Sequence, residues 1–288
     1  MTDNMNIQWY PGHMTKTRRQ IEADLKLVDA VCEIVDARIP VSSRNPDIDA
    51  ICGDKPRMIV LNRMDLADPA ATKKWAEYFR RKGIAVIATD CKSKKGISAF
   101  IPAARLACAE KLERDAKRGM NRPLRVMVVG IPNVGKSTLI NQISGRKSAK
   151  AENRPGVTRG KQWVTVDSGL QLLDTPGILW PKFEDPEVGM MLAYTGAVKE
   201  GVIDLEELAY RLMELLHKFY PQTLLERYKV EAPEGTPGWQ LLEMAARKRG
   251  YLVSGGEVNT ERMAKVLLDE FRSGKLGNFT LEMPEDMV

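Results

Sequence analysis

The chain has 288 residues, 43% of them hydrophobic and 28% charged, and a formal net charge of +6. This length allows one large or two modest domains, and the apolar content excludes a wholly disordered chain. No apolar run approaches the roughly 18 residues of a membrane helix, and Met1–Tyr10 lacks the features of a signal peptide. The four cysteines form no C-x-x-C pair, which argues against a structural zinc site. We therefore expect a cytoplasmic protein with no membrane partner.

Basic residues are concentrated in the middle of the chain. Residues 105–163 contain 14 Lys and Arg against 4 Asp and Glu, whereas residues 205–288 contain 11 against 14. A basic surface attracts an anionic partner such as RNA. The same excess also fits a phosphate site within an ordinary solvated face, so both interpretations stay open.

Short apolar runs predict six strands, most of them separated by stretches of helical character. The runs are Ala30–Val35, Met58–Leu61, Ile84–Ala88, Val126–Val129, Trp163–Val166 and Leu170–Leu173. Helices over 70–82 and 98–117 would connect them, which is typical of an α/β fold with a mainly parallel, six-stranded sheet. Only Asp167–Gly169 separates the last two runs, so we expect an antiparallel hairpin at the sheet edge.

The rest of the chain has helical periodicity. Apolar side chains recur at helical spacing from Leu205 to Phe219 and again from Met263 to Phe271. We expect an α/β domain over residues 1–180 and a small all-helical domain over residues 181–288. The tail from Gly277 is expected to be loosely ordered.

Two predicted strand ends carry residues suited to a purine base. In Asn62-Arg63-Met64-Asp65, the Asp65 carboxylate is expected to accept hydrogen bonds from N1–H and the 2-amino group of guanine. Adenine lacks this donor pair and would leave the carboxylate unpaired. Asp90-Cys91-Lys92 follows the next strand and is expected to supply backbone contacts to the base. Each pattern is weak by itself.

Gly130–Ser137 has the pattern G-x-x-x-x-G-K-S between a predicted strand and a predicted helix, which indicates a phosphate-binding loop. Its backbone N–H groups would surround the phosphates, and the helix N-terminus favours their negative charge. We expect Lys136 to reach the β- and γ-phosphates and the Ser137 hydroxyl to ligate Mg²⁺. Further residues expected to line this site are Asn133, Val134, Gly135 and Thr138.

Two later segments complete the pattern of a GTP site. Asp174-Thr175-Pro176-Gly177 lies 37 residues after Ser137, and it offers a carboxylate for Mg²⁺ at Asp174 and an N–H for the γ-phosphate at Gly177. Thr158 is expected to complete the Mg²⁺ shell when a γ-phosphate is present. Common GTPases begin with the phosphate loop and end with the base motifs. Here the base motifs come first. The motifs keep the same cyclic order but the chain begins at a different motif, as in a circular permutation.

Longer matches make the family resemblance specific. They are Trp9–Met14, Asp36–Pro40 continuing into Ser42–Pro46, Pro132–Thr138 and Asp174–Pro181. Over essentially the whole chain, the sequence resembles the RbgA/YlqF family of circularly permuted ribosome-assembly GTPases. The resemblance implies an enzyme that hydrolyses GTP to GDP with Mg²⁺. It also implies binding to the maturing large ribosomal subunit and its rRNA, departure after hydrolysis, and a C-terminal helical RNA-binding domain.

The sequence departs from the family pattern at the base motifs. Arg63 stands where the family usually has Lys, and Cys91 stands in a base loop that is usually small and polar. Arg keeps the charge and the apolar stem of Lys but not its shape. Because guanine specificity depends on Asp65, we expect it to survive both changes.

The group that orients the attacking water must differ from that of Ras-like enzymes, since Ile178 stands where those have Gln. We expect His13 to supply it when the partner is bound, with a local cap or an RNA contact as the alternative. His217 lies on a Leu-rich helical pattern and is expected to be structural. By similarity to K⁺-dependent GTPases, Asn133 is expected to help hold K⁺, or else to cap the loop.

Contacts with RNA are less specific in the sequence. Arg247-Lys248-Arg249 would suit RNA phosphates, although a solvated helix end gives the same pattern. Arg38 and Arg44 either contact RNA or brace the sheet. An ATP-dependent kinase and an RNA-binding scaffold that holds GTP without hydrolysing it are the alternative functions. We expect a monomer and no DNA partner.

Overall fold

The structure is a computed structural model that describes Arg19 and residues 21–145, 162–167, 169–175, 185–198 and 204–287. The six predicted strands are present in one sheet: β1 (Ala30–Asp36), β2 (Arg57–Asn62), β3 (Ala85–Thr89), β4 (Leu124–Val129), β5 (Gln162–Asp167) and β6 (Leu170–Asp174). Their order is β3-β2-β1-β4-β6-β5. Only the β5–β6 pair is antiparallel. The predicted α/β class and edge hairpin are confirmed.

Residues 21–25 are helical, and ten further α-helices have both ends in the described ranges. They are α1 (Asp47–Cys52), α2 (Pro69–Arg81), α3 (Phe100–Ala107), α4 (Ala109–Lys117), α5 (Lys136–Ser144), α6 (Pro186–Tyr194), α7 (Leu205–Phe219), α8 (Pro221–Tyr228), α9 (Gly238–Lys248) and α10 (Thr260–Ser273). Short 3-10 turns cover Ile97–Ala99 and Pro284–Met287. Measured by length and hydropathy, none of these described helices could cross a bilayer.

Helices pack on both faces of the sheet. Successive residues of a strand point to opposite faces, so Cys32 and Ile34 join the apolar core on one side while Val31 and Val35 join the cores on the other. Because both faces are covered, every residue of β1 is buried. This explains why its sequence is nearly continuous in apolar residues.

The connection predicted as one helix over 98–117 consists of two helices. Phe100 and Ala104 of α3 pack on the sheet, whereas α4 has no buried residue. The chain leaves helical geometry between them at Cys108, which is itself buried. The prediction of a single helix was wrong, because the chain breaks at Cys108 and the packing is looser beyond it, where partly buried Leu112 contacts the core.

The C-terminal helices form a bundle whose core is continuous with one face of the sheet. Leu212 of α7, Leu242 of α9 and Leu267 of α10 are all fully buried in this common core. Arg272 near the end of α10 donates to the carbonyls of Ala193 (2.9 Å) and Tyr194 (3.0 Å) at the end of α6. These contacts fix the bundle against the helix that precedes it.

The chain after α10 returns to the sheet. Phe279 and Leu281 are buried, and their backbone N–H groups donate to the carbonyls of Leu66 (2.9 Å) and Arg38 (2.8 Å). The prediction of a loosely ordered tail from Gly277 was therefore wrong. The segment is too short and too irregular to have a recognisable period, yet it has enough apolar side chains to anchor it.

Candidate functional site

The residues that the sequence patterns single out are brought together at one edge of the sheet. β1 ends at Asp36, β2 at Asn62, β3 at Thr89 and β6 at Asp174, and β4 leads into the predicted phosphate loop at Val129. Because these strands are parallel, their carboxyl ends lie along the same edge. This is where open α/β sheets bind their ligands.

The loop between β4 and α5 depends on two glycines. Gly130 (φ +155°) and Gly135 (φ +106°) have backbone angles that other residues rarely adopt. A Cβ on Gly135 would lie only 2.4 Å from the Asn62 side-chain nitrogen. Glycine at 135 thus lets the predicted base motif approach the predicted phosphate loop.

Lys136 begins α5, and its side chain folds back beneath the loop. Its Nζ donates to the carbonyl oxygens of Gly130 (3.0 Å) and Ile131 (3.1 Å). Burial lowers the pKa of this ammonium to about 8, although the negative charge of Asp174 opposes that shift. Neutral carbonyls alone compensate a buried cation poorly, so this group is suited to receive an anion. Half-buried Ser137 and Thr138 follow in the first turn of the helix.

Asn62 joins three segments of the site. Its Nδ2 donates to the carbonyl of Val134 (2.7 Å) in the phosphate loop. Its Oδ1 accepts from the hydroxyl of Thr89 (3.1 Å) and from the backbone N–H of Cys91 (3.4 Å). The two predicted base segments and the phosphate loop are therefore held together by one buried carboxamide.

Arg63 makes a second bridge to the phosphate loop. Its Nη2 donates to the carbonyl of Asn133 (2.5 Å), and its Nε lies 3.7 Å from a carboxylate oxygen of Asp36. Both Arg63 and Asn133 have φ of +60°, a conformation in which Asn is enriched among non-glycine residues. The Asn133 side-chain nitrogen donates to the carbonyl of Gly196 (3.0 Å), just after α6.

The Asp65 carboxylate lies at the exposed end of the base motif. Partial burial and the nearby charge of Asp90 raise its pKa, in that order of size. Asp90 turns the following loop, because its Oδ1 accepts from the Lys92 N–H (2.8 Å). Burial alone would raise the pKa of Asp90, but hydrogen bonds from Ser93 and Lys92 leave it below the usual value.

Asp174 lies buried at the end of β6. Burial raises its pKa to about 6, against the opposing effects of Lys136 and of a backbone N–H from Thr175. Its Oδ1 is buried and has no hydrogen-bond partner in the part of the chain that the structure describes. The adjacent Thr175 hydroxyl donates to the carbonyl of Val128 (2.8 Å), which fixes the strand end. An unpartnered carboxylate oxygen close to a phosphate loop fits the oxygen ligands that Mg²⁺ requires.

Comparison with known proteins places this geometry in a family. A family model of 50S ribosome-binding GTPases matches residues 125–220. The chain is similar to ribosome biogenesis GTPase A of Priestia megaterium (46% identity; 98% of each chain covered) and of Bacillus cereus (45%; 98% of this chain and 95% of that protein). The solved GDP-bound structure of TM YlqF matches with a TM-score of 0.68 and 30% identity, over 93% of this chain and 100% of that one.

The chain belongs to the ribosome biogenesis GTPase A family. It is a GTPase, which hydrolyses GTP to GDP and phosphate. The likeness to YlqF and the sheet order together support the circular permutation inferred from the motif order. The family resemblance of the sequence is therefore confirmed.

Three of the predicted site residues, His13, Thr158 and Gly177, lie outside the described residues. Their roles stay predictions. Ile178, on which the argument about the attacking water depends, also lies outside the described ranges.

Arg38 has a role that sequence reasoning left open. It is fully buried and forms a two-point ion pair with Asp36, with Nε–Oδ1 and Nη2–Oδ2 distances of 2.9 and 2.8 Å. Its guanidinium also lies over the ring of Phe271 in α10, 5.4 Å from the centroid. Arg38 braces the sheet against the helical bundle, since a fully buried side chain has no surface for RNA. Arg44 is likewise paired with Glu33 (2.8 Å).

Sequence reasoning missed the residues that support the base motif from outside it. Thr89 supports Asn62 from the end of β3, and Asn278 contacts the carbonyls of Asp65 and Ala67 from the C-terminal segment. No sequence signal pointed to Asn278, because the buried side chains around it, Leu276, Phe279 and Leu281, have no regular spacing.

Proposed function

We propose that this GTPase is an assembly factor that binds the maturing large ribosomal subunit and its rRNA and leaves after GTP hydrolysis. The names of its relatives refer to ribosome biogenesis, and the matching family model is one of 50S ribosome-binding GTPases. We also propose that the protein is cytoplasmic and monomeric. It has a permuted GTPase domain over residues 1–180 and a helical, RNA-binding domain over residues 181–288.

One observation supports the GTP-binding part of this proposal most strongly: the 2.7 Å hydrogen bond from Asn62 Nδ2 to the carbonyl of Val134. It joins a guanine-type motif to a phosphate-type loop that begins almost seventy residues later in the chain. The guanine-type motif alone would be weak. Held beside the phosphate loop, it can contact the base of a nucleotide whose phosphates that loop binds.

On the base side, Asp65 is proposed to accept the N1–H and 2-amino hydrogens of guanine. Arg63 would lie beside the base while it holds the phosphate loop through Asn133. Backbone groups of Asp90, Cys91 and Lys92 would contact the opposite edge of the base. The raised pKa of Asp65 reflects a carboxylate that is partly desolvated before the base arrives.

On the phosphate side, Lys136 is proposed to bind the β- and γ-phosphates. The loop formed by Asn133, Val134 and Gly135, together with Thr138 in the first turn of α5, would surround them. Ser137, Thr158 and Asp174 would hold Mg²⁺, which when bound neutralises phosphate charge. The Oδ1 of Asp174, which is buried and has no hydrogen-bond partner among the described residues, supports that ligand assignment.

Hydrolysis is proposed to need groups that the partner brings into place. His13 would orient the attacking water, and the Gly177 N–H would contact the γ-phosphate. Asn133 would help to hold K⁺ near the phosphates. Its side-chain oxygen is the atom available for this, because Nδ2 donates to Gly196.

RNA contacts are proposed on the helical domain. Trp239 and Lys248 of α9 are exposed and would offer an aromatic face and a cation to rRNA. The neighbouring Arg247 and Arg249 also form ion pairs with Glu243 (2.7 Å) and Glu270 (3.2 Å). These two arginines would therefore have to exchange partners to bind phosphate.

The test is GTP turnover by the pure protein in K⁺ buffer, alone and with purified large ribosomal subunits, with small subunits as the matched control. We expect stimulation by large subunits alone. Co-sedimentation should be strong with a non-hydrolysable GTP analogue and weak with GDP. If large subunits neither bind nor stimulate, the proposed partner is wrong.

Two variations of this assay test the residue assignments. His13→Ala should keep GTP affinity and lose the stimulated turnover; unchanged stimulation would contradict its proposed role. Replacing K⁺ with Na⁺ should slow turnover, and equal rates would remove the K⁺ assignment of Asn133.

A further inference from the structure

Three consecutive backbone carbonyls, of Asp65 at the end of the base motif and of Leu66 and Ala67 just after it, accept hydrogen bonds from the C-terminal part of the chain. The Asn278 side-chain nitrogen donates to the carbonyls of Asp65 (2.8 Å) and Ala67 (3.3 Å). The Phe279 N–H donates to the carbonyl between them, that of Leu66 (2.9 Å). One carboxamide therefore bridges the carbonyls of the two residues that flank Leu66.

We call residues 276–285 the C-terminal strap. It is anchored well beyond Asn278, because Glu282 accepts from the N–H groups of Val41 (2.6 Å) and Ser42 (3.0 Å), and its carbonyl accepts from the Trp75 indole (2.8 Å). The Phe279 ring stacks near that of Phe271, with centroids 5.8 Å apart. The strap thus has fixed points on the loop after β1, on α2 and on α10.

The end of α10 also contacts the base motif directly. Gly274, at φ +78°, ends this helix, and a Cβ there would lie 2.6 Å from a methyl carbon of Leu66. Leu66 is itself buried. The backbone after Asp65 is therefore held on its carbonyl side by the strap and on its side-chain side by the helix end.

Two further backbone bonds hold this loop, one to the end of β3 and one within the loop itself. The Met64 N–H donates to the carbonyl of Thr89 (3.1 Å), and the Leu66 N–H donates to that of Arg63 (2.9 Å). These bonds hold the start of the loop. The exposed carboxylate of Asp65 is hydrogen-bonded to its own backbone N–H, so its direction follows the backbone of this loop. Asn278 contacts that backbone at the carbonyls of Asp65 and Ala67.

We propose that Asn278 is a positioning residue for guanine recognition, which rests on the proposed role of Asp65. By fixing the carbonyls of Asp65 and Ala67, it aims the carboxylate at both donors of guanine. Because the strap continues directly from α10, guanine affinity is tied to the position of the helical bundle.

The experiment measures Kd for GDP, GTP and inosine diphosphate, which lacks the 2-amino group, in the full chain and in Asn278→Ala. Loss of these hydrogen bonds should weaken GDP and GTP equally, by about two- to tenfold. The affinity for inosine diphosphate should fall less, so that the ratio of its Kd to the Kd for GDP becomes smaller. At saturating GTP, kcat should be unchanged while KM rises.

Glu285→Gln is the matched control on the same strap. It removes an exposed ion pair with Lys74 (2.9 Å) far from the base motif, and all nucleotide affinities should equal those of the unaltered protein. Thermal melting checks that each variant folds. Should Asn278→Ala fail to fold, Asn278→Ser, whose hydroxyl cannot bridge two carbonyls, replaces it.

Asp65→Ala separates this inference from the proposed function. If Asp65→Ala leaves GDP affinity unchanged, the assignment of Asp65 is wrong. If Asp65→Ala weakens GDP binding but folded Asn278→Ala or Asn278→Ser binds like the unaltered protein, the strap does not position the base motif. An equal loss of affinity for GDP and inosine diphosphate would also overturn the inference. It would show that the substitution had not changed the orientation of the Asp65 carboxylate toward the 2-amino group.

Discussion

The base side and the phosphate side of the nucleotide site differ in how their polar groups are satisfied. On the base side, both ends of the Asn62 carboxamide are hydrogen-bonded, and Arg63 bridges to the phosphate loop. On the phosphate side, the buried Lys136 ammonium contacts only backbone carbonyls among the described hydrogen bonds. One oxygen of Asp174 has no hydrogen-bond partner within the described ranges.

This difference assigns separate tasks to the two sides. The Asn62 carboxamide is neutral and both of its ends are hydrogen-bonded, and such a satisfied network holds its shape without a ligand. Buried charges without full partners cost free energy, and a phosphate or a metal ion that pairs with them recovers it. The base side is therefore preformed, whereas the phosphate side is completed by the nucleotide.

The largest expected effect is on the phosphate side. Lys136→Ala removes the buried cation, and loss of charged hydrogen bonds to two phosphates should weaken GDP and GTP binding by roughly a hundredfold or more. Titration with a fluorescent GDP analogue measures this, with exposed Lys74→Ala as the control. Near-normal binding would show that the buried ammonium is structural.

On the base side, Asp65→Asn should weaken GDP binding about thirtyfold, because an amide cannot accept both guanine hydrogens. The same variant should gain affinity for xanthosine diphosphate, since its amide N–H can donate to the 2-carbonyl of xanthine. Competition between the two diphosphates is the measurement. If the order of preference does not move toward xanthosine, Asp65 does not read the base.

Asn62→Ala tests whether the base side is preformed. It leaves the Val134 carbonyl and the Thr89 hydroxyl without their partner, which should lower the free energy of unfolding by about 2 kcal/mol in the nucleotide-free protein. Urea unfolding followed by circular dichroism gives this value. An unchanged free energy of unfolding would mean that the network does not stabilise the free protein.

The phosphate side should also respond to pH. Asp174 has a pKa of about 6 and Lys136 of about 8. As pH falls through 6, protonated Asp174 can no longer ligate Mg²⁺; as pH rises through 8, neutral Lys136 loses its attraction for phosphate. GDP affinity in Mg²⁺ should therefore be highest between these two pH values. Chelation of Mg²⁺ should remove only the acid limb of this profile, that is, the loss of GDP affinity below pH 6. An acid limb that survives chelation would assign it to another group.

The smallest effect is expected at Arg63→Lys. The shorter cation keeps the charge near Asp36 and the reach toward the Asn133 carbonyl, so GDP affinity should change by about threefold or less. Equilibrium titration detects such a change. A much larger loss would mean that the second donor arm of Arg63 orders the phosphate loop.

Much of this site was readable from the sequence. Short apolar runs locate the strands, and Asn62, Lys136 and Asp174 each follow one, so a parallel sheet must bring them to one edge. The C-terminal strap was not readable. Asn278 contacts residues more than two hundred positions earlier, and no local pattern encodes such a contact.

The burial of Arg38 was equally inaccessible from the sequence. An arginine in a polar segment resembles a surface residue until its ion pair with Asp36 and its contact with Phe271 are seen. The pairing is set by tertiary packing between the sheet and α10. The local sequence therefore allowed two roles for Arg38, an RNA contact or bracing of the sheet, and could not decide between them.

Amide hydrogen exchange of the free and GDP·Mg²⁺-bound protein tests the contrast between the two sides most directly. We predict that the N–H groups of Met64, Leu66 and Phe279 are already protected in the free protein, because they are hydrogen-bonded there. Protection of the phosphate-loop N–H groups should rise sharply only when nucleotide binds. If the base-motif amides of the free protein exchange as fast as those of the phosphate loop, the base side is not preformed and the account is contradicted.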